Sequence, residues 1–136
     1  MNNPEIPNDF AISKKMRFIE NLHIVFWLVK DMGWCLNFKS LGISMAIPTI
    51  CIALYFLIKN RKDTSERYHN FAVLLWIVAN SWWMCSEFFG FDETVLLFGL
   101  TGRSLTAFPF GIGILILSIY YIFLFPKESK TMKNQS

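Results

Sequence analysis

Residues 105–125, LTAFPFGIGILILSIYYIFLF, hold twenty-one consecutive positions without a charge. A helix needs about twenty apolar residues to cross roughly 30 Å of hydrocarbon, so this stretch alone reads as a transmembrane helix. Residues 41–58, LGISMAIPTICIALYFLI, add eighteen uncharged positions and a second helix. Residues 71–86 add sixteen and reach full length if His69, Asn70 and Glu87 stand at the two interfaces. Residues 18–37 are the weak candidate: Glu20, Asn21, His23, Lys30 and Asp31 interrupt them, and the longest apolar run covers only 24–29. Alone, that segment would pass for an interfacial helix.

Charge placement promotes it to a span. Lys14, Lys15 and Arg17 precede it, Lys59, Arg61, Lys62 and Arg67 fill the loop before the third candidate, and Lys127, Lys130 and Lys133 follow the fourth. These ten of thirteen basic residues share one side only if the first candidate crosses. The opposite side then receives Lys39, Glu87, Asp92, Glu93 and Arg103, the asymmetry that the positive-inside rule demands. The expectation is an all-α, four-helix bundle in the cell membrane with both termini cytoplasmic.

Composition agrees. Apolar residues make up 54% of the 136 and charged residues 17%, where a soluble domain carries about a quarter charged. The length suits one domain. Basic residues that flank apolar segments, with no stripe along one element, argue against nucleic acid despite the net charge of +3. Residues 1–13 are polar, contain Pro4 and Pro7, and do not read as a cleavable signal. Cys35, Cys51 and Cys85 read as small buried hydrophobes; a disulfide between Cys35 and Cys85 would need an oxidising compartment and tight geometry.

An internal repeat divides the chain. NLHIVFWLVKDMGW (21–34) lies over NFAVLLWIVANSWW (70–83) without a gap, identical at four of fourteen positions, with Trp27 over Trp76, Trp34 over Trp83 and Asp31 over Asn80. Pro48 falls over Pro109 in the helices that follow. The division is then a cytoplasmic segment (1–15), hairpin 1 (16–58), a cytoplasmic loop (59–68), hairpin 2 (69–126) and a disordered tail (127–136). The copies would be related by a pseudo-twofold axis along the membrane normal. Asp63 and Glu66 form a capping box opening the third helix, and Pro126 stops the fourth. The insert 88–102 is open between a lid and a re-entrant piece. Gly102, Gly111 and Gly113 read as close-packing positions.

The repeated helices carry the chemistry. At 100° per residue, Glu20, His23, Trp27, Lys30, Asp31 and Trp34 fall within an arc of about 100°, and His69, Trp76, Asn80, Trp83 and Glu87 within about 60°. Charges at mid-bilayer cost about 2.5 to 3.5 kcal/mol each, so both stripes must face the interior. The expected binding site is a cleft lined by Trp27, Lys30, Asp31, Trp34, Trp76, Asn80, Trp83 and Glu87, with Asp31 beside Asn80. It would take a small solute or ion, with indoles around an apolar or cationic body. Against this stand an aromatic interface belt for Trp34, Trp82 and Trp83, and a structural clamp for Asp31 and Asn80.

Other chemistries are weaker. Glu20 and His23 have the i, i+3 spacing of a metal-ligand pair that His69 could join, but a di-iron bundle needs two such pairs. Haem through His23 and His69 would need both rings at one depth. No catalytic triad, phosphate loop or other cofactor motif appears, so no cofactor is expected. Two alternatives to a carrier stay open. One is a lipid- or isoprenoid-modifying enzyme using Asp31 and Glu87 as acid and base with Lys30 or Arg103 on a headgroup. The other is an interaction subunit completed by a membrane partner or a second copy.

Overall fold

The computed structural model describes residues 8–135. Four long helical rods follow one another: α1 (Asn8–Cys35), α2 (Lys39–Lys59), α3 (Thr64–Phe89), and a last rod formed by α4 (Ala107–Ile119), a π-helical turn (Tyr120–Leu124) and α5 (Phe125–Gln135). Between α3 and α4 lie a small antiparallel ribbon, β1 (Val95–Leu97) with β2 (Leu100–Thr101), and a 3-10 turn (Ser104–Thr106). The segments Lys39–Lys59, Thr64–Phe89 and Ser104–Gln135 are long and apolar enough to cross a membrane. At 28 residues α1 has the length as well, and falls short on apolarity because it carries Glu20, Lys30 and Asp31.

Backbones pack in chain order, α1 on α2, α2 on α3, α3 on α4. α2 lies between α1 and α3, and its buried residues Gly42, Ala46, Thr49, Ala53 and Phe56 repeat at steps of four and three. Four of the five are small, which lets neighbouring helices approach closely where hydrophobic burial offers little drive. The tightest approach is Gly33 of α1 against α2: a Cβ there would stand 2.8 Å from the Gly42 nitrogen. Across α2, Gly42 faces Phe88 and Met84 of α3.

Two helix ends use the same device. Asn37 (φ 54) closes α1, with Phe38 N–H donating to Gly33 O (2.8 Å) and Asn37 N–H to Trp34 O (2.9 Å). Gly90 (φ 72) closes α3 in the same way, through Phe91 N–H to Ser86 O and Gly90 N–H to Glu87 O. Both are Schellman ends, which need one left-handed residue and favour glycine or asparagine. Asp63 caps α3 by accepting from Glu66 N–H (3.2 Å). The box expected there is half formed, since the Asp63 N–H donates to Asn60 O.

Several expectations require correction. α1 starts at Asn8, so helix already begins within the segment 1–15 expected to be cytoplasmic; residues 1–7 lie outside the described part. Pro126 does not stop the last helix, and the tail is helical to Gln135 where disorder was expected. The π turn explains this: Phe125 N–H reaches back five residues to Tyr120 O, widening the helix where the proline ring would strike the carbonyl four residues before it. Extending an existing helix avoids the nucleation cost, and Tyr120 Oη donates to Glu128 across the bulge. The cysteines are free, and Cys35 and Cys51 are exposed where burial was expected.

Of the glycines read as packing positions, Gly113 is buried by Ala72 and Gly111 faces open space. Gly102 is the tight one: a Cβ would lie 2.4 Å from Phe91 O. Gly102→Ala is therefore expected to push the ribbon base away from α3, break the bond from Trp82 Nε1 to Gly102 O (2.8 Å), and destabilise the protein by about 1 to 3 kcal/mol. A thermal melt in detergent checks this against Gly111→Ala, which sits in open space inside α4 and should melt at or slightly above the wild type.

Candidate binding cleft between α1 and α3

The stripes of α1 and α3 meet through their long side chains. Trp27 meets Trp76 edge-on with ring centroids 4.3 Å apart, and Trp34 meets Trp83 at 5.7 Å, with interplanar angles of 70° and 69°. Aromatic pairs favour this T-shaped contact because a positive ring edge meets a negative face. Glu87 joins the upper pair: Trp34 Nε1 donates to its Oε2 (2.6 Å) and Trp83 Nε1 to its Oε1 (2.8 Å). One carboxylate thus collects both indole N–H groups and ties α1 to α3.

One turn below, Lys30 is fully buried and its ammonium donates to Asp31 Oδ1. Its Nζ also lies 5.9 Å from the Trp34 ring centroid. Consecutive helical side chains diverge by about 100°, so the pair closes only because the flexible lysine stem folds back. Asp31 departs from the inward-facing stripe expected from the sequence: its side chain is 43% exposed, and Trp76 and Glu87 of the facing stripe are exposed as well. It lines a cleft of about 270 Å³ with Ile24, Trp27, Leu28 and Trp76. The cleft presents two indoles, two aliphatic side chains and one carboxylate whose counter-ion sits behind it.

The Glu20 end is separate. His23 is buried, its Nε2 lies 3.0 Å from Thr49 O of α2, and its ring stacks on Trp27. Opposite a carbonyl that nitrogen must donate. Glu20, His23, Asn60, Glu66 and Asn70 line a cavity of about 290 Å³ between α1, α2 and α3. His69 turns instead toward the last rod, with Nδ1 on Ser65 O and Nε2 on Tyr121 Oη, both 2.7 Å. Glu20, His23 and His69 therefore do not converge, and no group of three or more His, Cys, Asp or Glu among the described residues is placed to hold a metal ion. The same separation takes away the bis-histidine haem arrangement.

Of the eight expected cleft residues, the structure brings together Trp27, Asp31 and Trp76 in one group, and Trp34, Trp83 and Glu87 in another, with Lys30 between. Asn80 is half-buried and makes no side-chain hydrogen bond among the described residues; the pairing expected with Asp31 is replaced by Lys30. Arg103 pairs with Glu93 at the ribbon base, away from the cleft. The Thr49 carbonyl and Tyr121 hydroxyl were not anticipated. The small-residue stripe of α2 could have pointed to Thr49; nothing in the sequence marks Tyr121.

What fold and site define together is an all-helical chain with three helices fit to cross a membrane and a polar, tryptophan-rich seam between its first and third helices. In comparisons with known proteins, no family model, no curated protein and no solved structure matches it.

Proposed function

We propose that the chain is a four-span protein of the cell membrane, with both termini cytoplasmic, that binds a small cationic solute in the Asp31 cleft and carries it across. The observation that carries this reading is the exposed Asp31 carboxylate, facing an indole-walled cleft while its lysine is buried behind it. Such a pair is costly at bilayer depth, and helix packing by small residues does not require it. A cation entering the cleft would meet the Trp27 and Trp76 rings and compete with Lys30 for Asp31. That exchange of counter-ions would link occupancy to movement of α1, with Pro48 and Pro109 as flex points.

The fourth span is supported by how the polar face of α1 is satisfied: Trp34 by Glu87, His23 by the Thr49 carbonyl, Lys30 by Asp31. The ten clustered basic residues support the orientation. For the duplication the support is the sequence match, together with Trp27 touching its repeat mate Trp76 and Trp34 touching Trp83; the helix order α1–α2–α3–α4, in which α4 does not pack on α1 as α2 packs on α3, is not that of a closed twofold bundle.

The test is saturable binding of primary and quaternary amines to protein in lipid nanodiscs, read by tryptophan fluorescence. Trp76→Ala should weaken the best ligand by up to about thirtyfold, the roughly 2 kcal/mol of one desolvated cation–π contact. The double variant Lys30→Met with Asp31→Asn removes both charges together and should abolish binding while keeping its helical spectrum. Wild-type affinity in that folded variant would end the proposal.

A further inference from the structure

We infer that the β1–β2 ribbon is a lipid wedge, seated at the boundary of headgroups and acyl chains in the leaflet that surrounds the Phe89 end of α3, where its open strand edges still reach water. This rests on the membrane reading above. The first argument is composition by face. Val95, Leu96, Leu97 and Phe98 are consecutive, and 63%, 45%, 54% and 89% exposed. Successive strand residues point to opposite faces, so both faces of the ribbon are apolar and neither is suited to water.

The second argument is the tip. Phe98 (φ 50) and Gly99 (φ 77) join the strands, and both take positive φ. A two-residue hairpin turn of this kind favours Asn, Asp or Gly at its first central position, where a bulky side chain is sterically penalised. This chain puts there the most exposed large apolar side chain among the described residues. In water that residue is wrong on both counts; among acyl chains its exposure becomes an anchor.

The third argument is depth. Trp82 precedes Phe89 by seven residues, which is about 10 Å along α3 at 1.5 Å per residue. Its indole nevertheless donates to Gly102 O, so the chain leaving α3 turns back alongside it before the last rod begins. Gly102 N–H to Thr94 O, Arg103 N–H to Asp92 O and the Glu93–Arg103 ion pair fix the base of the loop. Residues 95–102 carry no charge, and the charged residues flank them on both sides. The base of the ribbon is thereby held near Trp82, and Phe89 at the end of α3 and Phe108 at the start of α4 are themselves exposed. Lipid is the occupant that suits an uncharged, two-sided apolar surface joined to helices fit to span.

The test uses the full chain with Cys35, Cys51 and Cys85 replaced by alanine. One new cysteine is introduced, Phe98→Cys or, should that fail to fold, Leu97→Cys, and labelled with a nitrobenzoxadiazole dye in phosphatidylcholine–phosphatidylglycerol vesicles. Ile114→Cys on exposed α4 reports the bilayer and Lys130→Cys reports water. The expected result is a ribbon label with blue-shifted emission, quenched by nitroxide-bearing lipid comparably to Ile114 and sheltered from aqueous iodide. Quenching by iodide like Lys130 overturns the wedge while leaving the spans intact. Shelter from both quenchers also overturns it, in favour of a protein surface over the tip. Iodide quenching at Ile114 as well would overturn the membrane reading and the wedge with it.

Discussion

Asp31→Ala is expected to destabilise the protein by about 3 kcal/mol, because it leaves the fully buried Lys30 ammonium without an anion. Breaking a buried pair from one side typically costs about 3 to 5 kcal/mol; the partial exposure of Asp31 places this case at the lower end. Removing both charges should behave otherwise. Lys30→Met together with Asp31→Ala takes away the stranded charge along with its partner and fills the lysine stem's space with another flexible apolar chain. Its stability should return to within about 1 kcal/mol of the wild type. Reversible unfolding in mixed micelles supplies both numbers. Equal losses in the single and double variants would mean that the pair is not coupled.

The second large effect is expected at Gly33. A Cβ there would be 2.8 Å from a backbone nitrogen, which cannot swing aside as a side-chain end can. Gly33→Val must part α1 from α2 at the Gly33–Gly42 crossing. A loss of about 3 kcal/mol, the upper range for overpacking, is expected. It should come with weaker contact between the two tryptophan helices, measured as lower cross-linking between cysteines placed at Leu28 and Trp76. Wild-type stability in Gly33→Val would show that the first two helices do not cross as closely as described.

Much of the bundle is legible because bilayer thickness is a strict ruler: the uncharged runs at 41–58 and 105–125 lie within Lys39–Lys59 and Ser104–Gln135. Helical periodicity also places Trp27, Trp34, Trp76 and Trp83 on facing stripes, since angle around a helix depends only on residue spacing. The same arithmetic says nothing of how far a long side chain bends. It therefore assigned Asp31 to Asn80, when its neighbour Lys30 could fold back and reach it. The ribbon was missed because VLLFGL, lacking alternation, reads equally as apolar loop. The helical tail was missed because Pro126 breaks a regular helix, and the wider turn that accommodates it leaves no local signature in composition. Gly33 and Gly42 stand in different helices, and only the crossing brings them together.

The hydrogen bond from Trp34 to Glu87 joins residues 53 positions apart. In a four-span chain that distance becomes a delay during synthesis: the first helix emerges well before the carboxylate that will accept its indole proton. Until the third helix arrives, α1 is too polar to rest among lipids alone, so the opening segment would wait at the headgroups or within the insertion machinery and enter together with its successors. Topology would then be decided late, by the third helix.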